Sequence, residues 1–346
     1  MYKINTIFQQ FIITFVGKYC MMSRDMSNIY GPVKSEMDEF HRLFKDSLSS
    51  SNVLLNQVIN HVTQKQGKVM RPLLLLLITK MFGKVSPVAY HAAVSLELLH
   101  TATLIHDDVV DDSDQRRGQP SVKAAFNNKV AVLSGDFFLA TALQQVSLTR
   151  NFAIVDIVAR LGQKLADGEL LQLYNIANNT LSYDVYFDII RNKTAILFSS
   201  CGRAGAIAGG ADATLIEKAA EFGEQIGLCF QIKDDVFDYF ENKDLGKPTG
   251  NDMKEGKLTL PVLYALNSTQ DPAYLKIAEK VRSFTASDAE ISQLVAFTKD
   301  KGGIEYAYKT IDEIKEKASA FLADAPDSDI KSALSAYLDY VVERNH

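Results

Sequence analysis

The sequence predicts an all-α protein that folds as a single domain. Only 8 prolines and 19 glycines interrupt 346 residues, and no stretch alternates apolar and polar residues for long enough to indicate a sheet. Helix-start signals recur along the chain, because Ser86 before Pro87, Ser182 and Asp212 each fit an N-cap. Amphipathic segments continue from residue 270 to the carboxyl terminus without a Pro-, Gly- or Ser-rich linker.

The amino-terminal residues are predicted to lie outside this domain. Residues 7–16 are apolar but too short to span a bilayer. Residues 1–25 contain no acid before Asp25, so a weak targeting segment is one interpretation of them. We interpret 1–25 as a non-essential extension and assign the helical domain to 26–346.

Three further segments are predicted in chain order. Residues 73–82 are apolar on nearly every side, which predicts a helix that is fully buried or lies at a subunit contact. Pro87 opens a helix that reaches the first of two acidic motifs, and Asp212 opens the helix that carries the second. The polar, Gly-containing residues 241–257 predict a mobile lid.

Composition excludes several classes of function. The net charge is −5, from 37 Lys+Arg against 42 Asp+Glu, so nothing indicates a nucleic-acid partner. The cysteines Cys20, Cys201 and Cys229 have no metal-ligand spacing and indicate a reducing compartment. The six histidines are scattered, which argues against a zinc site. We therefore expect a cytoplasmic protein without a transmembrane segment.

The pattern Asp-Asp-x-x-Asp occurs twice and carries most of the chemical information. Its residues are Asp107, Asp108, Asp111, Asp234, Asp235 and Asp238. On a helix, positions i and i+4 share a face, so each motif presents converging carboxylates. Both motifs lie in apolar sequence, where uncompensated carboxylates are costly, so a cation is expected between them. Oxygen ligands of this kind suit Mg²⁺, in two to three ions. An exposed acidic helix face explains one motif equally well, but not two copies in apolar settings.

Basic clusters accompany the acidic motifs. Lys68 and Arg71 are expected just inside a helix start, where Gly67 permits close backbone approach. Arg116 and Arg117 follow the first motif, and Lys247 and Lys257 lie in the predicted lid. Arginine suits bidentate phosphate contact, and lysine acts as a point charge. Together these cations indicate two diphosphate sites, one bridged to the acids by metal and one held by basic side chains.

The order of the motifs resembles that of the trans-isoprenyl diphosphate synthases. Five regions carry the resemblance: Gly67–Pro72, His100–Gly118, Lys193-Thr194, Gln231–Asp238 and Gly246–Pro261. It covers about residues 40 to 345, and it implies a single-domain bundle of antiparallel helices around a deep central cavity. One departure is Val69, where many relatives carry a second basic residue, which puts in doubt the strength of diphosphate binding there.

The resemblance also implies a reaction, the head-to-tail condensation of isopentenyl diphosphate with an allylic diphosphate. The implied metal ligands are Asp107, Asp108, Asp111, Asp234, Asp235 and Asp238. The first five of these, together with Lys193, are the implied catalytic residues. The implied contacts to the allylic diphosphate are Arg116, Lys193, Thr194, Gln231 and Lys247. The implied contacts to isopentenyl diphosphate are Lys68, Arg71, His100 and Arg117. Two purely structural roles stay open: His100 could be an ordinary core histidine, and the Thr194 hydroxyl could bond to its own helix.

Product length is predicted from the helix before the first motif. Short-chain members of the family usually place bulky aromatics four and five residues before its first aspartate, whereas this chain has Thr103 and Ala102. Leu99 and Leu96 continue an apolar wall below them. This opening predicts a product of C30 to C50 for a quinone side chain, which Phe at Ala102 should shorten. Neighbouring helices can also contribute to the floor, through Phe82, Phe137 and Phe138.

Three alternatives remain at this point. A short-chain farnesyl or geranylgeranyl diphosphate synthase shares the chemistry, but small Ala102 and Thr103 count against it. A partner subunit of a heteromeric prenyl synthase typically has degraded acidic motifs, and both are intact here. A terpene cyclase uses related acidic motifs but lacks the basic clusters. The resemblance further implies a homodimer whose product passes to the membrane.

Overall fold

A computed structural model describes residues 24–65, 67–178, 181–240 and 249–344. It confirms the all-α prediction. The first helices are α1 (Arg24–Tyr30), a 3₁₀ turn (Gly31–Val33), α2 (Lys34–Ser47), α3 (Val53–Gln64), α4 (Met70–Phe82), α5 (Pro87–Val110), α6 (Val122–Ala125), α7 (Asn128–Leu148) and α8 (Phe152–Asn178). The later ones are α9 (Tyr183–Ile190), a π-helical turn (Arg191–Ala195), α10 (Ile196–Gly209), α11 (Ala213–Phe237), α12 (Asn251–Lys254), α13 (Leu260–Thr269), α14 (Pro272–Arg282), α15 (Asp288–Asp300), α16 (Gly303–Ala323) and α17 (Asp329–Glu343).

The predicted helix starts are confirmed at the two helices that carry the acidic motifs. Helix α5 begins at Pro87, directly after Ser86, and ends at Val110 beside the last aspartate of the first motif. The Asp212 side chain accepts a hydrogen bond of 2.9 Å from the backbone N–H of Leu215, which caps α11. The end of α11 delivers the second motif. The predicted cap at Ser182 likewise opens α9.

Helix α4 is buried within the chain, which settles one of the two interpretations of residues 73–82. Its residues from Leu73 to Ile78 have no exposed surface. Glycines of α10 let that helix pack directly on it: a Cβ at Gly205 would lie 2.6 Å from the Leu75 carbonyl oxygen. The apolar residues of α4 are thus covered by the protein's own core.

Helices α5 and α7 pack side by side along their length. Ser95 Oγ donates a 2.8 Å hydrogen bond to the Ala142 carbonyl, and Gly135 accommodates the His106 ring. Both helices are long and apolar enough to cross a membrane, as core helices of globular proteins often are. Within the fold, 56% of the most apolar window of α5 and 44% of that of α7 are buried. Their mutual packing accounts for the buried apolar residues of both helices, while several leucines of α7 stay exposed.

One local prediction was wrong, and one small feature was not predicted. The chain contains a small antiparallel hairpin, β1 (Gln115–Arg116) and β2 (Gln119–Pro120), which is too short to give a period-2 signal. Lys68 lies before α4 rather than inside it, because Val69 has a left-handed backbone (φ 50°) and the helix begins at Met70.

The ends of the chain and the lid are described only in part. Of the predicted extension, residues 1–23 lie outside the described residues, and α1 begins at Arg24. Residues 241–248 of the predicted lid, with Lys247, also lie outside them. The rest of that segment forms the short helix α12 and the approach to α13.

Candidate active site

The first acidic motif lies at the carboxyl end of α5 with its three carboxylates in different surroundings. Asp108 is 2% exposed, and Arg116 Nε donates to its carboxylate at 2.9 Å. Asp111, just past the helix end, is exposed. Burial, together with the charges of Glu169 and Asp111, raises the pKa of Asp107 to about 6. Asp108 is thus paired with an arginine, whereas Asp107 lies near the negative charges of Asp111 and Glu169.

The second motif shows a similar division. Asp235 is 4% exposed and accepts hydrogen bonds from Tyr186 Oη at 2.6 Å and Gln231 Nε2 at 2.8 Å. Burial above all, with the charges of Asp234 and Asp238, raises the pKa of Asp235 to about 7. Crowded, partly buried carboxylates of this kind gain stability from a nearby cation.

The remaining two carboxylates of this motif contact other parts of the chain. Asp238 accepts the backbone N–H groups of Asn251 and Asp252 at 3.0 and 3.1 Å and so anchors α12. Asp234 is 41% exposed at its side chain and accepts a 2.6 Å hydrogen bond from Arg344 near the carboxyl terminus. The second motif therefore joins the lid segment and the last helix to the site.

Thr194 and Gln231 belong to one hydrogen-bonded chain that ends at Asp235. Thr194 Oγ1 donates to Gln231 Oε1 at 2.6 Å, and Gln231 in turn donates to Asp235. The Thr194 hydroxyl therefore bonds to a different helix, and the interpretation that it bonds to its own helix was wrong. This chain fixes the Gln231 amide with its oxygen toward Thr194 and its nitrogen toward Asp235.

Lys193 lies on the π-helical turn between α9 and α10. Its Nζ pairs with Glu169 of α8 at 2.6 Å, and its charge acts on Asp107. Helix α8 approaches closely because Gly168 has no side chain: a Cβ there would lie 3.0 Å from the Lys193 backbone nitrogen. Single π-helical turns inside α-helices occur frequently at functional sites, and this one aims Lys193 at the first motif.

Three of the four side chains predicted to bind a second diphosphate, those of Arg71, His100 and Arg117, interact with one another, and the fourth, Lys68, lies over the Tyr340 ring. The guanidinium of Arg71 lies 4.8 Å from the ring centroid of the buried Phe198, and burial with the charges of Arg71, Arg117 and Arg116 lowers the pKa of His100 well below its usual range. His100 is therefore a neutral ring among arginines and not a histidine in an apolar core.

The small hairpin positions Arg116 and Arg117. Arg117 and Gly118 both have positive φ, 53° and 67°, as a two-residue type I′ turn requires. The turn directs Arg116 toward Asp108 and brings the Arg117 guanidinium against Gly67, where a Cβ would lie 3.0 Å from it. Gly67 thus provides the close approach that its position before Lys68 predicted.

Lys257 lies at the other end of the lid segment. Its Nζ contacts Glu255 at 2.5 Å. Burial lowers the pKa of Lys257, but the charges of Glu255, Asp111 and Asp252 outweigh burial, so that the pKa is raised. This cation is therefore within electrostatic reach of the first motif.

The residues predicted to set product length divide between two environments. Leu99 and Ala102 are each 2% exposed. Ala102 lies one turn from His106 and two turns from Ser95, and both of those contact α7. Thr103 is half-buried and lies one turn before Asp107, on its face of α5. Only Thr103 therefore shares the face of the helix that carries the acidic region.

Several residues that contact this site carry no motif recognised in the sequence. They are Glu97, Glu169, Tyr186 and Arg344. Glu97 precedes His100 by three residues, so its helical position could have identified it. Burial raises the pKa of Glu97 against the opposing charges of Arg71 and Arg117. The other three reach the site from distant segments, which no local pattern reveals.

The site suits a divalent cation that is shared with its substrate. In the parts of the chain that the structure describes, no three His, Cys, Asp or Glu side chains are grouped to hold a metal ion by themselves. Its donors are carboxylate oxygens, and the lysines and arginines around them suit phosphate groups.

Comparison with known proteins decides the family. A family model described as polyprenyl synthetase matches residues 52–297. The chain belongs to this family. It is therefore a prenyltransferase, a polyprenyl diphosphate synthase.

Relatives cover nearly the whole chain. The octaprenyl diphosphate synthase of Haemophilus influenzae is 35% identical over 90% of this chain and 94% of its own. A geranylgeranyl pyrophosphate synthase structure from Bacteroides thetaiotaomicron is 51% identical, with a TM-score of 0.83 over 92% of this chain and 99% of its own. A polyprenyl synthase from Caulobacter crescentus, solved with calcium and isoprenyl diphosphate, is 31% identical, with a TM-score of 0.87 over 92% and 98%. These matches identify the helical bundle as that of the family.

Proposed function

We propose that the protein is a long-chain all-trans-polyprenyl diphosphate synthase. It adds isopentenyl diphosphate head-to-tail to an allylic diphosphate and releases a product of C30 to C50, suited to a quinone side chain. The observation that carries the chemistry is the pair of acidic motifs with Lys193 and the Arg71–Arg117 cluster beside them. The small side chain at Thr103, and the octaprenyl relative, support the long product.

Mg²⁺ is the proposed cation, and the six aspartates of the two motifs are its proposed ligands. Asp108 is paired with Arg116, Asp235 is bonded by Tyr186 and Gln231, and Asp238 anchors α12. Asp234 is likewise paired, with Arg344, whereas Asp111 is exposed. These carboxylates would share the ions with water and the allylic diphosphate. When bound, Mg²⁺ neutralises negative charge on the leaving diphosphate.

The side chains around the motifs orient the allylic substrate. Lys193 and Arg116 supply positive charge near the allylic diphosphate, with Lys247, which lies outside the described residues. Thr194 and Gln231, fixed by their mutual hydrogen bond, present oxygen atoms beside the cation that forms as the carbon–oxygen bond breaks.

Isopentenyl diphosphate occupies the basic cluster. Lys68, Arg71 and Arg117 hold its diphosphate, and neutral His100 contributes a ring N–H. Its double bond attacks the allylic carbon, and the released pyrophosphate accepts the proton that is lost in the last step.

A shorter product is the second candidate. It is favoured by the 51% identity to a protein described as a geranylgeranyl pyrophosphate synthase. That reaction would use the same diphosphate sites and would stop at C20.

The proposed assembly is a homodimer. Its support is an exposed apolar face on α7, where Leu133, Leu139 and Leu143 are 68%, 36% and 52% exposed. We further propose that residues 26–346 form one domain, that the enzyme resides in the cytoplasm, and that it passes its product to the membrane.

A product assay tests the proposal. Purified protein is incubated with Mg²⁺, farnesyl diphosphate and excess labelled isopentenyl diphosphate, and the dephosphorylated prenols are sized by chromatography. A ladder ending between C30 and C50 is expected, and its loss with EDTA serves as the control. A stop at C20 would select the shorter product. No incorporation by folded protein would overturn the proposal in favour of a partner subunit or a terpene cyclase.

A further inference from the structure

The carboxy-terminal helix α17 contacts both diphosphate sites from one face. Tyr337 Oη donates a 2.9 Å hydrogen bond to the carbonyl at the first residue of α4. One turn on, the Tyr340 ring lies 5.0 Å from Lys68 Nζ. One further turn on, Arg344 reaches Asp234. Spacings of three and four residues place Tyr337, Tyr340 and Arg344, the residue that directly follows the helix, on one stripe. This end of the chain therefore connects Lys68 to the second acidic motif.

Arg344 is held from several sides. Its Nη2 donates to Asp234 Oδ1 at 2.6 Å and to the Phe230 carbonyl at 2.8 Å. Its guanidinium carbon lies 3.8 Å from the centroid of the Phe230 ring. The Arg344 side chain is 10% exposed, while that of Asp234 is 41% exposed. The arginine is therefore the fixed partner, and the carboxylate is the one that faces outward.

We propose that Arg344 is a positioning residue that orients the Asp234 carboxylate for Mg²⁺, an inference that rests on the proposed function. A planar guanidinium fixed by a carbonyl and an aromatic ring restricts the rotation of the carboxylate that it binds. Hydrogen-bond partners of metal-binding carboxylates typically change metal affinity 10- to 100-fold when they are removed. The opposing possibility is that the Arg344 charge repels the metal. Removing Arg344 would then strengthen Mg²⁺ binding, whereas the positioning role predicts that it weakens Mg²⁺ binding.

The test compares three variants by a measurement that needs no turnover. Arg344→Met removes the donors and keeps much of the apolar stem, Arg344→Lys keeps the charge, and Glu343→Gln changes an exposed neighbour. Isothermal calorimetry follows Mg²⁺ binding in the presence of inorganic pyrophosphate. We expect Arg344→Met to weaken Mg²⁺ binding about tenfold or more, Arg344→Lys to fall between, and Glu343→Gln to match the wild type. Unchanged or tighter binding in Arg344→Met would overturn the proposal.

Steady-state kinetics separate positioning from a general loosening of α17. Arg344→Met should raise the Mg²⁺ concentration for half-maximal rate and leave the KM for isopentenyl diphosphate within about twofold. Tyr340→Leu should do the reverse, because its ring contacts Lys68. A joint rise of both quantities in Arg344→Met, with a lower Tm, would assign Arg344 a structural role only and reject the positioning role.

Failure of the proposed function gives a different result. A wild-type protein that binds Mg²⁺ with pyrophosphate but elongates no primer would refute prenyl transfer and leave the calorimetric comparison intact. A wild-type protein that binds no Mg²⁺ under these conditions would refute both.

Discussion

At the scale of residues, Ala102 and Thr103 are adjacent in sequence and differ in what surrounds them. Ala102 is 2% exposed, on the stripe of α5 whose Ser95 and His106 contact α7. Thr103 shares the face of Asp107, and its hydroxyl is satisfied by the His100 carbonyl at 2.9 Å. The two positions should therefore respond differently to a large side chain.

Thr103→Phe is expected to shorten the product toward C20, because the ring would lie on the face of α5 that carries the diphosphate site. Ala102→Phe, which the sequence by itself predicts to shorten the product, should in addition lower stability by about 1–3 kcal/mol through overpacking against α7. Product sizing and thermal unfolding of both variants check this, with Thr103→Ser as the control. Unchanged products from Thr103→Phe would place the growing chain elsewhere.

At the scale of elements, glycines let the central helices pack backbone to backbone. A Cβ at Gly202 of α10 would lie 2.1 Å from the Ala219 carbonyl oxygen of α11, and one at Gly223 of α11 would lie 2.3 Å from the Phe198 carbonyl. Since α10 follows the turn that carries Lys193, and α11 carries the second motif, this contact sets the distance between Lys193 and Asp235.

Gly202→Ala is expected to reduce the free energy of unfolding by about 1–3 kcal/mol, because the added methyl group forces two backbones apart. The matched control is Gly162→Ala in α8, where the new Cβ meets nothing within 4 Å and helix propensity should give a gain of about 0.5–1 kcal/mol. Urea denaturation of both variants measures the difference. Equal stability of the two would show that α10 and α11 can separate without cost.

At the scale of the whole molecule, the predicted dimer rests on a different surface from the one that the sequence suggested. The apolar residues 73–82 were a candidate contact, but Leu73 to Ile78 are covered by the chain itself. The exposed leucines of α7, Leu133, Leu139 and Leu143, are the apolar residues of that helix that we expect to meet a second copy.

Leu143→Glu is expected to convert the dimer to a monomer, because it buries a charge in the apolar contact. Leu54→Glu, at an exposed leucine of α3, is the matched control and should stay dimeric. Sedimentation velocity at micromolar concentration distinguishes the two. A wild-type protein that sediments as a monomer would refute the dimer, and a Leu143→Glu variant that stays dimeric would move the interface off α7.

The sequence by itself determined the helical class, the helix starts at Pro87 and Ala213, and the positions of both acidic motifs. These follow from local signals, since caps, helical periodicity and short motifs depend on residues a few positions apart. Burial of α4 was one of two alternatives that its apolar sequence left open, and only packing decided between them.

The tertiary structure decided which side chains act together. Arg344 reaches Asp234 across 110 residues of sequence, and Tyr186 bonds Asp235 across 49. Such contacts come from the packing of whole helices, to which each residue contributes only a small part, so no short pattern encodes them. The same packing gives the six aspartates of two identical motifs different partners, which their spacing alone could not distinguish.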